Sequence, residues 1–413
     1  RGNIYDRNGN VLAYDEENSD GSKTRIYNYG AVSSTVTGYN SKTYGKTGLE
    51  KTYNKWLLNV HDDNLSQFRK MIVDNDKGND LHLTLNQNIQ NLTYNYMSQY
   101  TGAAVVMNPK TGEILAMVSL PTFNPNSVDT DWENLIANKN GPLVNRASAG
   151  LYRPGSTFKI VTTNAILDSD VDQAYNDTGS EVIQNYEIKN FDNQVYGALD
   201  LRRALIYSVN TYFAAKTNDM GKESLMNMTD KYMFNRPYDF DLEKYDSVIP
   251  YKELNKVDLA MTSFGYGKTQ ATPLHMAMVT SSIANDGVMM KPRLVSTVTD
   301  KDENVVYENN KEVLSKVTSA NNANTIRDLM VDVVNEGTAK GAYVDGIQVA
   351  GKTGTTDKAN GFIDAWFVGF APAYDPKIAV AIVVENSEGT GGATVAPIAG
   401  NLIRDIFNQV NLD

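Results

Sequence analysis

The stretch Arg153-Pro154-Gly155-Ser156-Thr157-Phe158-Lys159, followed by the apolar run Ile160 to Leu167, brings together residue types that could do chemistry. Pro154 and Gly155 end whatever precedes them, and the periodic run predicts a helix. Ser156 and Lys159 stand three residues apart and so share one helix face. A hydroxyl beside an amine at a helix start is a way to activate a nucleophile without histidine. The backbone N–H groups there, that of Ser156 included, are unpaired and available to a developing oxyanion. The positive end of the helix dipole also helps Lys159 lose its proton. Taken alone, the pair reads equally well as a capping serine and a surface lysine.

Two further sets weigh against that bland reading. Ser208-Val209-Asn210 falls within a helical region beginning at Leu199, with two polar side chains at one spot. A second Ser-x-Asn, Ser319-Ala320-Asn321, sits in a polar linker without an apolar framework and serves as the control for chance. Lys-Thr-Gly occurs three times. Lys46-Thr47-Gly48 and Lys110-Thr111-Gly112 read as structural, the latter as a hairpin turn. Lys352-Thr353-Gly354-Thr355 follows a strand, Ile347 to Gly351, and precedes another. On an edge strand, residues 353 and 355 face one way. Their hydroxyls could bind a carboxylate, with Lys352 adding charge and the Thr355 N–H a second oxyanion donor.

The elements that must position these groups follow from pattern. Arg1 to Ala13 reads as two short strands around an Asn-Gly turn, Asp15 to Lys23 as loop, and Gly45 to Glu50 as the approach to a helix carrying Tyr53, Trp56 and Leu57. The Asn/Asp-rich stretch Asp74 to Asp80 is the expected domain boundary, giving domains 1–80 and 81–413. Beyond it come a strand at Leu81 to Leu85, a helix at Gln87 to Gln99 and a hairpin of Ala103 to Met107 with Glu113 to Ser119. Helices are expected over Leu199 to Met220, Pro273 to Asn285 and Asn322 to Asn335. Strands at Gly346 to Ala350, Ile363 to Phe370 and Ile378 to Val384 lead to a closing helix from Pro397. Sheet-forming ends around a helical middle predict an α+β domain whose sheet is assembled from both termini.

Composition narrows the chemistry. With no cysteine among 413 residues, disulfides, thiol catalysis and cysteine-bound metal are excluded. Three histidines, His61, His82 and His275, are too few and scattered for a metal site, and no cofactor motif is present. A net charge of −11 argues against a nucleic-acid surface. No run reaches the length of a membrane span, and the start at Arg1 reads as a trimmed or mature end.

Ser-x-x-Lys, Ser-x-Asn and Lys-Thr-Gly in that order are specific where each alone is weak. Together with Asn145-Arg146-Ala147, Tyr152 to Lys159, Phe264-Gly265-Tyr266-Gly267 before Thr272-Pro273-Leu274, Ala365 to Gly369 and the opening Arg1 to Gly9, they cover nearly the whole chain. The chain resembles a class B penicillin-binding protein, a peptidoglycan D,D-transpeptidase, of the subgroup with a short pedestal. The resemblance implies a penicillin-binding, serine β-lactamase-like domain, an antiparallel sheet flanked by helices with a helical subdomain, on a small N-terminal pedestal. It implies that Ser156 attacks the penultimate D-Ala carbonyl of a stem peptide, with Lys159 as base, kept neutral partly by Lys352. Ser208 would relay the proton, Asn210 would hold the peptide amide, and Thr353, Gly354 and Thr355 would hold substrate. β-Lactam antibiotics would acylate the same serine. By the same resemblance the protein belongs at the extracytoplasmic face of the bacterial cell membrane. Its single N-terminal anchor is absent from this sequence, and a polytopic glycan polymerase would be its partner through residues 1–80.

Rival readings have separate signatures. A β-lactamase needs a Glu four residues before Asn in Glu-x-x-Leu-Asn, but before Leu254-Asn255 that position is Tyr251. A D,D-carboxypeptidase shares the motifs and is disfavoured by the pedestal-first layout, while a β-lactam-sensing domain lacks the Arg1 to Gly9 opening. A Ser-His-Asp hydrolase would have to use His275, the one histidine after Ser156, which lies in an amphipathic helix and reads as core or surface.

Overall fold

The computed structural model describes residues 1–60, 77–358 and 361–412; His61 and residues 74–76 of the expected boundary lie outside them. The chain opens with β1 (Ile4–Tyr5), β2 (Val11–Glu17) and β3 (Lys23–Tyr27), and β4 (Asp80–Leu83) leads into helix α1 (Gln87–Met97). β5 (Gly102–Met107) and β6 (Ile114–Leu120) form the expected hairpin. The middle carries α2 (Lys159–Leu167), α3 (Leu201–Ile206), α4 (Asn210–Met220) and α5 (Pro273–Ala284). β7 (Val295–Thr299) and β8 (Val305–Glu308) precede α6 (Ala320–Asn335). β9 (Ala350–Asp357), β10 (Ile363–Ala371), β11 (Ile378–Ser387) and α7 (Ala396–Gln409) close the chain.

The last three strands and the hairpin of β5 and β6 make one antiparallel sheet in the order β9-β10-β11-β5-β6, so the two ends of the 81–413 region build it, as expected for that domain. Its strands read as nearly continuous apolar runs because both faces are covered. Ala103, Val105 and Met107 point into a core shared with α5, every residue of which is buried. Ala104 and Val106 point the other way, into a core shared with α1, α6 and α7. Each buried Val or Leu contributes roughly 1.5–3 kcal/mol, so this two-sided core fixes the sheet that the site rests on.

A second sheet runs β8-β7-β4-β1-β2-β3 and takes strands from both sides of residue 80, β4 pairing parallel with β1 and antiparallel with β7. Side chains reinforce the junction. Asp241 accepts from the Tyr53 hydroxyl and from the Leu294 and Val295 N–H groups at 2.6 and 3.0 Å.

Four expectations are corrected. The loop expected at 15–23 is confined to 18–22, since Asp15, Glu16 and Glu17 extend β2 and Lys23 begins β3 along a solvent-facing hairpin where the apolar alternation is hidden. The single helix expected from Leu199 is broken at residues 207–209, between α3 and α4. Ser319, the chance control, is the N-cap of α6, its hydroxyl accepting from the Asn322 N–H. The strand expected at 346–350 instead spans Ala350–Asp357, so the third Lys-Thr-Gly lies inside the edge strand β9 rather than after a strand.

Candidate active site

The turn carrying Ser156 forms because Gly155 adopts a left-handed conformation, φ +55°, that an L side chain resists. A Cβ there would lie 2.7 Å from the Thr356 methyl. Gly155–Phe158 is a tight 3-10 turn that runs directly into α2, and Ser156 is half-buried on it. Neighbours pin the turn. The Gly155 N–H donates to Gly265 O at 3.1 Å, and the Trp366 indole donates to Arg153 O at 3.1 Å. Upstream, Arg146 and Tyr152 both reach Glu385 on β11, at 2.8 and 2.6 Å. The Asn145-Arg146-Ala147 motif therefore ties the approach to Ser156 to the sheet.

Gly265 is the tightest point of this packing. It has φ +75°, and a Cβ on it would lie 2.2 Å from Gly155 O. Gly265→Ala is expected to cost about 2–4 kcal/mol of stability, because backbone strain adds to a clash with backbone. A denaturant midpoint close to wild type would contradict this.

Ser208 supplies the second wall. It sits in the break between α3 and α4 with φ +59°, so the local strain falls on a residue facing the cleft. The break presents both its carbonyl and its hydroxyl to Lys159. Lys159 Nζ donates to Ser208 O at 2.7 Å and to Asn210 Oδ1 at 2.7 Å, and lies 3.1 Å from Ser208 Oγ. Lys352 Nζ, from β9, lies 2.9 Å from the same Ser208 Oγ and donates to Thr353 O at 3.1 Å. One hydroxyl thus stands between two amines. Among the described residues the Ser156 hydroxyl makes no hydrogen bond, and the Lys159 amine is turned toward Ser208 and Asn210.

Both amines are fully buried. Burial, with a smaller contribution from the nearby Lys352 charge, holds Lys159 well below the ordinary lysine range. Burial alone brings Lys352 down to about 7. The Phe213 and Phe264 rings lie 5.3 and 5.8 Å from Lys159 Nζ, and a cation–π attraction of roughly 1 kcal/mol per ring does not offset full desolvation of an ammonium. A neutral amine with two N–H groups donated at 2.7 Å keeps one lone pair. That lone pair can take a proton from a hydroxyl.

β9 forms the third wall. Thr355 Oγ1 accepts from the Gly391 N–H at 3.1 Å, and Thr353 Oγ1 donates to Thr338 Oγ1 at 2.9 Å. The Thr355 carbonyl accepts from the Tyr266 hydroxyl at 2.7 Å, on the strand edge away from β10. The N–H and C=O of one strand residue point the same way, so the Thr355 N–H is also on that open edge. Ser156, Ser208, Asn210, Thr353, Gly354 and Thr355 line one cleft of about 500 Å³, with both lysines beneath it.

Sequence reasoning did not single out Thr338, Thr390 or the aromatic residues Phe191, Tyr196 and Tyr207, which line the same cleft. They come from loops with no local signal of chemistry. Tyr266 was quoted only within a motif. The rival histidine is elsewhere, His275 being buried with Nε2 2.7 Å from Tyr232 O and burial lowering it to about 4. Leu254-Asn255 is a helix cap, Asn255 forming a capping box with Asp258, and Tyr251 bonds to Thr229. The first Lys-Thr-Gly is a packing element, since Gly48, at φ +55°, abuts the backbone of Gly38.

Comparison with known proteins agrees with this arrangement. A family model described as penicillin binding protein transpeptidase domain matches residues 102–404, and one described as penicillin binding protein A dimerisation domain matches residues 1–80. The peptidoglycan D,D-transpeptidase PbpA of Mycolicibacterium smegmatis is 32% identical, over 94% of this chain and 86% of its own length. The D,D-transpeptidase domain of a peptidoglycan glycosyltransferase from Eggerthella lenta superposes with a TM-score of 0.90 at 36% identity, covering 99% of this chain and 98% of its own. Penicillin-binding protein A of Mycobacterium tuberculosis, solved as a ceftriaxone acyl-enzyme complex, superposes with a TM-score of 0.90 at 30% identity, covering 98% and 97%. With both halves matched and the three motif sets meeting in one cleft, the chain belongs to the penicillin-binding protein transpeptidases of class B.

Proposed function

We propose that this protein is a serine-type D-Ala-D-Ala transpeptidase that cross-links peptidoglycan stem peptides and is acylated by β-lactams. The observation that supports it most is the pair of buried amines meeting one hydroxyl, Ser208, beside the Ser156 turn. Ser156 Oγ attacks the carbonyl carbon of the penultimate D-Ala while its proton passes to the lone pair of Lys159. The N–H groups of Ser156 and Thr355 stabilise the oxyanion. As the C–N bond breaks, Ser208 hands a proton to the departing D-Ala amine, and Lys352 restores it from behind. Asn210 holds the peptide amide, and Thr353, Gly354 and Thr355 hold the terminal carboxylate end. An amine of a second stem then attacks the ester, its proton passing back through Ser208 to Lys352, and the departing Ser156 oxygen takes back the proton held by Lys159.

Relatives that act in cell-wall synthesis support a place in the envelope. We place the chain at the outer face of the cell membrane, held by an anchor preceding Arg1. No helix among the described residues is long and apolar enough to cross a membrane. A division into a pedestal of residues 1–80 and a transpeptidase domain of 81–413 fits the spans matched by the two family models. The pedestal is the surface for a polytopic glycan polymerase, which cross-linking from residues 1–57 would test.

Incubation with fluorescent penicillin followed by peptide mapping is expected to place the label on Ser156 alone. Label elsewhere, or none, overturns the assignment. With a stem pentapeptide and an acceptor amine the expected product is the cross-linked dimer. Free tetrapeptide alone would indicate a carboxypeptidase, and no turnover after acylation a sensor.

A further inference from the structure

We propose that Tyr266 is a positioning residue that sets the spacing of the two oxyanion donors, resting on the transpeptidase reading above. The segment Phe264 to Gly267 touches both halves of the oxyanion site. Through Gly265 O it accepts the Gly155 N–H at 3.1 Å, which fixes the turn carrying the Ser156 N–H. Through the Tyr266 hydroxyl, one residue on, it donates to Thr355 O at 2.7 Å, which holds the strand residue whose N–H points to the same edge. The two halves approach closely, since even a Cβ added to Gly155 would lie 3.2 Å from Thr355 O and 3.4 Å from Thr355 N. The Thr355 N–H belongs to the preceding peptide plane and is coupled to that carbonyl through the Thr355 φ and ψ, so a small rotation at Thr355 would change the aim of its N–H at the reacting carbonyl.

β9 is an edge strand, so no neighbouring strand holds Thr355 on this side. Its neighbour carbonyl on the same edge, Thr353 O, is held by Lys352 Nζ at 3.1 Å, leaving Tyr266 as the tether for Thr355. From the side chain, Thr355 Oγ1 accepts from Gly391 N at 3.1 Å, so rotation about the strand is resisted there as well. The phenol is suited to a fixed donor. Burial moves its ionisation up to about 12, and its ring packs on Phe264 at 5.4 Å. The carbonyl it meets has two lone pairs, and one is left for substrate.

The test is Tyr266→Phe in the full chain, with acylation by a chromogenic β-lactam followed by stopped flow. The rate constant of the chemical step is expected to fall about ten- to a hundredfold, less than for loss of a whole oxyanion donor. The dissociation constant of the non-covalent complex is expected to stay within about twofold. As a second readout, the infrared stretch of a ¹³C-labelled acyl-enzyme carbonyl is expected to move to higher wavenumber in the variant. An unchanged chemical step, a loss confined to non-covalent binding, or an unmoved carbonyl stretch would each overturn the proposal. A wild-type chain that acylates elsewhere than Ser156 would sink the underlying reading and this one with it. Normal wild-type acylation with an indifferent variant would sink this one alone.

Discussion

Replacing Lys159 by methionine is expected to slow acylation of Ser156 by about 10²–10⁴-fold, the range attributed to a positioned general base. Methionine keeps most of the lysine's volume in a fully buried slot between Phe213 and Phe264, so packing should survive. What disappears is the lone pair, together with the two 2.7 Å donations to Ser208 O and Asn210 Oδ1. Losing those donations costs about 1–3 kcal/mol each where an acceptor is left buried, and removing a desolvated amine offsets part of that. The melting temperature is therefore expected to move by about 5 °C or less. Non-covalent binding of a β-lactam should persist, because Thr353 and Thr355 are untouched. Stopped-flow separation of binding from the chemical step checks this. A variant that binds and acylates like wild type would remove Lys159 from the role of base. A variant that fails only in binding would make Lys159 a scaffold for the Ser208 break.

The contrast between what was and was not legible in the sequence has a physical origin. Ser156 and Lys159 stand one turn apart at one helix start, so local periodicity was enough to place them near each other, while the bonds of Lys159 to Ser208 O and Asn210 Oδ1 are beyond any local window. The sheet was readable because the runs of β5, β6, β10 and β11 are apolar on both faces and sit at the two ends of the chain. Meeting of Ser208 with Lys352, 144 residues apart, is tertiary, and only the order of the three motifs hinted at it. The left-handed Ser208 broke a pattern that reads as one helix from Leu199 to Met220, because the cost of that conformation is met by contacts with Lys159 that no local window contains. The edge strand was placed a few residues early because Lys352, Thr353, Gly354 and Thr355 have weak strand preferences, and β10 pairs with all four regardless. Thr338 and Tyr266 reach the cleft from loops, where type and spacing carry no signal.

The second large effect concerns pH, and it separates the two amines. Lys159 is held well below the ordinary lysine range by burial, with Lys352 adding a like charge, while burial brings Lys352 down to about 7. The pair titrates as a unit, so as pH rises the proton leaves Lys159 first and Lys352 second. On the proposed mechanism, acylation should rise with pH as Lys159 becomes neutral and decline above about 7 as Lys352 loses the charge assigned there to the proton relay through Ser208. In Lys352→Met the descending limb should vanish. The ascending limb should move to higher pH, because Lys159 no longer has a positive neighbour. Stability follows with a definite sign. A lysine whose folded value is depressed contributes stability present above its unfolded value and lost as pH falls through the folded one. Between about 7 and the ordinary lysine range the unfolded chain carries a proton that folded Lys352 has released, so stability attributable to this residue increases with pH by up to about 1.4 kcal/mol per unit. Below about 7 folded and unfolded Lys352 are both protonated and the slope ends. Lys352→Met should accordingly flatten the rise in denaturant midpoint from pH 7 to pH 10. A variant that retains both the full slope and the descending limb would show that Lys352 keeps its proton through neutrality, and the proton relay through Ser208 would then have no acid behind it.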